Sequence, residues 1–177
     1  IMSLKKWYAY LLNPLINLPI LFWIDPTYDN LSYIGNQLGH FFYLMLWALS
    51  SVFGLYFFSK QIWQQERISY NPIVHALICL GMPVSCLIPY STSLPGWVND
   101  LHIWLAIASV SLFIFEWVKT LFMPQYTTDR SYHRFLDRLL IVFGICFCSF
   151  AVFGHINGLC EMSFSVLVNI LLAQHLR

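Results

Sequence analysis

The chain has 177 residues, of which 59% are hydrophobic and only 10% charged, against roughly 25% charged in an average soluble domain. With a mean hydropathy of +0.66, there are too few polar side chains to cover a folded surface of this size, which excludes a soluble globular domain. A formal net charge of +1 excludes a polybasic nucleic-acid surface; the expected partner is the lipid bilayer, with no nucleic acid.

A helical span takes about 20 apolar residues, so six spans take ~120 residues and leave ~57 for every loop and both ends. The expected fold is therefore all-α: a polytopic integral membrane protein whose residues 1–177 form a single transmembrane domain, six helices in one bundle. Apolar runs place the spans at about 7–24, 38–58, 72–89, 101–118, 139–154 and 156–174.

The first run follows Lys5 and Lys6 but ends on Leu21-Phe22-Trp23-Ile24, which is no small-residue cleavage site, so it reads as a span and not a signal peptide. Asn13, Pro14, Asn17 and Pro19 predict a kinked helix that needs protein neighbours for its freed backbone groups. On the second span, Ser32, Asn36 and His40 recur every four residues, on one face of any helix that starts near residue 31. Gly81-Met82-Pro83 predicts a kink in the third span. The fourth opens with Asp100 and His102, and near its other end Glu116 and Lys119 form an i,i+3 pair.

Ahead of the fifth span, Asp129, His133 and Asp137 share one helical face and Arg130, Arg134 and Arg138 the next. Pairing at i,i+4 and contact with anionic headgroups account for this amphipathic lead-in. Residues Gly154 to Gly158 predict a tight turn into the sixth span, where Asn157, Glu161, Ser165 and Asn169 repeat every four residues as a polar stripe. Trp7, Trp23, Trp63, Trp97 and Trp117 lie near run ends, as an interfacial aromatic belt would place them, with Trp47 and Trp104 further in. Cys79, Cys86, Cys146, Cys148 and Cys160 all fall in apolar runs, where thiols act as small hydrophobes.

Orientation follows from the nine Lys and Arg. Lys5 and Lys6 precede span one, Lys60 and Arg67 lie between two and three, Lys119, Arg130, Arg134 and Arg138 between four and five, and Arg177 follows six. The other three connections hold none, so the positive-inside rule puts both termini on the cytoplasmic side of a cell membrane.

The extracytoplasmic ends, free of positive charge, collect the chemically interesting groups. An ionisable side chain inside a span normally faces the bundle interior, which singles out Glu161 as a catalytic candidate together with Asp100 and Ser32. Asn36, His40, His102, His155 and Asn157 are candidate ligand-binding residues around the same outward pocket. His40, His102 and His155 are also the residue types of a zinc site, which would lower the pKa of a bound water for hydrolysis beside the outer leaflet. Haem would need two facing imidazoles, for which His75 with His40 or His102 can be tried, but their depths do not match.

Three segments carry a resemblance: D-N-L-S-Y-I-G-N at 29–36, I-P-Y at 88–90 followed by N-D-L-H at 99–102 with Ala106, and G-H-I-N-G-L-C-E at 154–161. Together they resemble a family of short bacterial six-span membrane proteins of unknown function. The resemblance implies six helices in a bacterial plasma membrane and no particular activity. More remotely, the chain is similar to the CREST superfamily of membrane amide and lipid hydrolases, which uses Ser, Asp and His around zinc. That similarity implies Ser32, Asp100, His102 and His155 as the matching set; the chain departs from it in having six spans, not seven, and no H-x-x-x-H in the last.

The expected function is an outward-facing polar pocket that binds a small or lipid-like molecule, or else an accessory subunit working as a homo-oligomer or with a membrane partner. The alternative is a metal-dependent intramembrane hydrolase acting on a lipid or amide at the outer leaflet.

Overall fold

The computed structural model describes residues 3–91 and 93–176. Among these every element is helical: α1 (Leu4–Trp7), a π-helical turn (Tyr8–Leu12), α2 (Asn13–Asn17), α3 (Ile20–Trp23), α4 (Leu31–Asn36), α5 (Phe41–Gln65), α6 (Pro72–Leu87), α7 (Gly96–Val118) continued by a 3-10 turn (Lys119–Phe122), α8 (Pro124–Thr128), α9 (Arg130–Phe153) and α10 (Gly158–His175). Phe41–Gln65, Gly96–Phe122 and Arg130–Phe153 are long and apolar enough to cross a membrane, and Pro72–Leu87 is a shorter apolar helix. Large apolar side chains stand outward along them, including Phe42, Ile73, Trp104 and Phe147; a surface of this kind suits lipid, not water.

Proline punctuates the first segment. Pro14 enters at the start of α2 and Pro19 stands just before α3; each removes a backbone donor, and Leu18 N–H turns to the Leu15 carbonyl at 3.3 Å. Asn30 caps α4 through Tyr33 N–H. Gly39 then takes a φ of +74°, which breaks the chain between α4 and α5. In consequence His40 does not continue the face of Ser32 and Asn36. It precedes α5 as an exposed residue, its ring stacked 4.5 Å from Trp23. Gly154, at φ +72°, ends α9 and makes the expected tight turn into α10.

In the bundle α5 packs between α6 and α10, α6 on α7, α9 on α10, and the broken first segment against α5 and α10. Gln125 to the Arg67 carbonyl, Tyr132 to Thr120 and His175 to Glu66 tie together the connections that carry Lys60, Arg67, Lys119 and Arg130. This is the basic end of the molecule. The larger core lies toward it, around Trp63, Phe113, Trp117, Tyr132, Leu136 and Leu172; a smaller one at the far end holds Ile20, Leu31, Ile34 and Leu44. Trp63 and Trp117 are therefore fully buried in that core, 5.1 Å apart, and not in an interfacial belt.

Between the two cores runs a ring of neutral polar groups. The Trp47 indole donates to Asn17 Oδ1 (2.8 Å), and Asn17 Nδ2 donates to Ser165 Oγ (3.3 Å). Ser51 Oγ donates to the Trp47 carbonyl (2.9 Å), so the Ser165 hydroxyl must be the donor in the 2.7 Å Ser51–Ser165 bond. The chain of donors thus starts and ends on Trp47 and joins the first segment, α5 and α10. Asn13 and Asn169 also bond to Ser165, which accounts for half of the polar stripe on α10.

Candidate functional site

Residues 25–36 form a strap across the far end. Asp25 opens it with an Asx turn, accepting from Thr27 N–H (2.9 Å) and Thr27 Oγ1 (2.6 Å). The Thr27 hydroxyl first, and its N–H next, hold the Asp25 carboxyl below its ordinary value. One edge of the strap is fastened to the start of α10. Gly158 N–H donates to the Asp29 carbonyl (2.6 Å), Leu159 N–H to Pro26 (2.7 Å), Asn157 Nδ2 to Thr27 (3.0 Å) and His155 Nε2 to Tyr28 (2.8 Å), while Glu161 Oε2 accepts from Leu31 N–H (2.8 Å).

The other edge carries fewer bonds. Ser32 Oγ and His102 Nε2 stand 2.8 Å apart, and Asn36 Oδ1 accepts from Tyr90 N–H at 3.1 Å. His102 Nδ1 lies 2.9 Å from the Ile88 carbonyl, which can only accept, so that nitrogen carries the proton. In the neutral ring Nε2 is then a bare acceptor aimed at the Ser32 hydroxyl. Ser32 and His102 are both buried, and Tyr90 leans on the imidazole at 5.4 Å. Because α4 packs on α5 and α7 on α6, the Ser32–His102 bond closes a seam between two parts of the bundle.

The structure thus brings Ser32, Asn36, His102, Asn157, His155 and Glu161 to one end and spreads them along the two edges of one strap. Asp100 and His40 stay outside it, both exposed. His40, His102 and His155 do not converge: the first stacks on Trp23, the second is held by Ser32 and Ile88, and both ring nitrogens of the third face carbonyls, of Phe153 (2.9 Å) and Tyr28. Among the described residues no three His, Cys, Asp or Glu side chains are grouped to hold a metal ion. This donor set does not fit zinc, since ligands must all lie ~2.0–2.2 Å from one ion.

Sequence reasoning missed a second cluster, at the basic end. His75 Nδ1 and Glu116 Oε2 pair at 2.6 Å with almost no exposure. Glu116 therefore does not pair with Lys119, whose ammonium stands over the Trp63 ring at 6.0 Å. Around the imidazole, Tyr56 stacks at 5.2 Å, Trp63 meets it edge-on at 4.7 Å, and Phe113 lies at 6.3 Å. His75 Nε2 reaches the Tyr56 carbonyl at 3.3 Å, so its two nitrogens are occupied and haem ligation is not offered. The available signal was a carboxylate and a histidine in different spans, each a few residues inside the basic end. Nearby, His133 and Asp137 pair at 3.1 Å as the i,i+4 spacing predicts, and Asp129 caps α9.

Comparison with protein-family models, with curated proteins and with solved structures finds no match to this chain.

Proposed function

We propose that this chain is a six-span integral membrane protein with both termini cytoplasmic, and that its far end, facing outward, binds a small or lipid-like molecule at the seam between α4 and α7. The reading rests on the unequal fastening of the strap. Five hydrogen bonds hold its α10 edge, whereas Ser32–His102 and Asn36–Tyr90 hold the other. A ligand with a carbonyl or hydroxyl head can take over the Ser32 and His102 partners as the seam opens, and its apolar part then meets the Tyr90 ring beside His102. The bacterial six-span family is the kinship this reading favours.

A second reading, hydrolysis of a lipid ester or amide, draws on the Nδ1–H bond of His102 to the Ile88 carbonyl. That bond orients the ring so that Nε2 can take the Ser32 proton as the hydroxyl attacks a carbonyl carbon; the imidazolium then gives that proton to the alcohol or amine that leaves as its bond to the carbonyl carbon breaks, and water, deprotonated by the same nitrogen, releases the acid from Ser32. No metal step is required.

One experiment separates the two. Membranes bearing the wild-type chain, Ser32→Ala or His102→Gln are treated with a photoreactive fatty-acyl diazirine probe and, separately, with a fluorophosphonate. Binding alone gives diazirine adducts on α4 or α7 that both variants reduce, with no fluorophosphonate on Ser32. Hydrolysis adds a Ser32 phosphonate that His102→Gln lowers about 10²-fold or more. Adducts equal in all three chains would overturn both readings.

A further inference from the structure

We propose that the basic end holds a binding site for the phosphate-bearing headgroup of an anionic phospholipid, in the recess between the start of α9 and the end of α10. The recess measures about 210 Å³ and is lined by Ser131, Arg134 and Arg138 from α9 and by Leu171, Gln174 and His175 from α10. Arg134 and Arg138 are one helical turn apart and both exposed, so their guanidinium groups reach the same volume.

Among the described residues no carboxylate cancels the charge in the recess. Among the described residues neither guanidinium is paired with a carboxylate: Arg134 Nε donates to the Arg130 carbonyl at 3.3 Å, and the neighbouring Asp137 is engaged by His133 and Tyr126. Glu66, behind His175, is bonded by that residue at 3.0 Å and by Gln65 at 2.8 Å. The Arg138 guanidinium and the Nη groups of Arg134, with an amide and a hydroxyl beside them, match the oxygens of a phosphodiester, which guanidinium binds bidentately.

Lipid is distinguished from free phosphate by what continues the stripe. Residues 134, 138, 141 and 145 follow i, i+4, i+7, i+11, so Ile141 and Ile145, 61% and 54% exposed, extend the same face into the apolar part of α9. A headgroup held by the two arginines leaves its acyl chain lying along those isoleucines. The site does not depend on what the far end binds.

Native mass spectrometry of the purified chain, titrated with phosphatidylglycerol or phosphatidylcholine in micelles, reads the binding directly. The wild-type chain should take one phosphatidylglycerol well ahead of phosphatidylcholine, and Arg134→Gln/Arg138→Gln should weaken it by about 30-fold, the worth of two basic contacts at a membrane surface. Lys5→Gln/Lys6→Gln removes the same charge elsewhere and should leave the binding intact. Arg134→Lys/Arg138→Lys keeps the charge, loses the forks and should fall between. Equal affinity for the two lipids, equal loss in the Lys5/Lys6 control, or displacement of phosphatidylglycerol by millimolar inorganic phosphate would overturn the proposal.

Discussion

Removing either partner of the His75–Glu116 pair should destabilise the bundle, by unequal amounts, and removing both should restore most of the loss. The two groups meet at 2.6 Å with almost no exposure, and the cost of taking both out of water offsets most of what their attraction gains. What remains decisive is which group is stranded. In Glu116→Leu, His75 keeps its bond to the Tyr56 carbonyl, so the loss is about 1–3 kcal/mol for one unpaired nitrogen. In His75→Leu, the Glu116 carboxylate keeps no hydrogen-bond partner among the described residues, and a stranded buried charge costs about 3–5 kcal/mol. For a chain of this length each kcal/mol moves Tm by roughly 2–4 °C, so His75→Leu should melt ~6–20 °C below the parent. The double variant should lie within about 1 kcal/mol of it, an apolar pair having replaced a charged one of similar volume. Thermal melts in detergent, followed by tryptophan fluorescence, are suited to this because Trp63 touches the His75 ring and Trp117 stands beside it. Additive losses in the double variant, or a larger loss from Glu116→Leu than from His75→Leu, would refute the reasoning.

In a background without the native cysteines, single Cys at positions 29 and 94 should react with an impermeant reagent on intact cells and Cys at 64 or 128 should not; the reverse pattern removes the topology. Cys160 Sγ lies 3.4 Å from the Cys146 carbonyl and Cys146 Sγ 4.0 Å from that of Cys160, so copper-phenanthroline should link these two, and peptide mass spectrometry finding links only to Cys148 would disprove the α9–α10 register. Gly54→Ala drives a methyl carbon into Asn169 Oδ1; the overpacking should cost about 1–3 kcal/mol, and an unchanged melt would mean that α5 and α10 are further apart. Glu161→Gln retains an acceptor for Leu31 N–H and should melt within a few degrees of the parent, whereas Glu161→Leu should lose about 1–3 kcal/mol; equal losses would show that charge, not the hydrogen bond, fastens the strap.

Much of the helical plan was legible because it depends on one-dimensional quantities. Apolar run length, proline and glycine placed the helices to within a few residues at most ends, and the polar stripe of α10 appeared where the four-residue spacing put it. The exceptions were residues whose surroundings are chosen by other helices. Spacing made Lys119 a natural partner for Glu116, yet the carboxylate points into the bundle and is 4% exposed, while the lysine, three residues nearer the helix end, reaches out over Trp63. Spacing likewise put His40 in line with Ser32 and Asn36, until Gly39 broke the helix that would have carried it.

The far end shows the same limit from the favourable side. Ser32 and His102 are 70 positions apart, on elements that pack against different neighbours, and periodicity could only set each at the right level of the bundle. Their meeting depends on the strap being pinned at its other edge by the first turn of α10. Gly158, Leu159, Asn157 and Glu161 bind the strap's backbone without regard to its side chains, which fixes where α4 begins and hence which face of it meets His102. Loosening that edge, as Glu161→Leu would by freeing Leu31 N–H, should therefore disturb the Ser32–His102 bond without touching either residue.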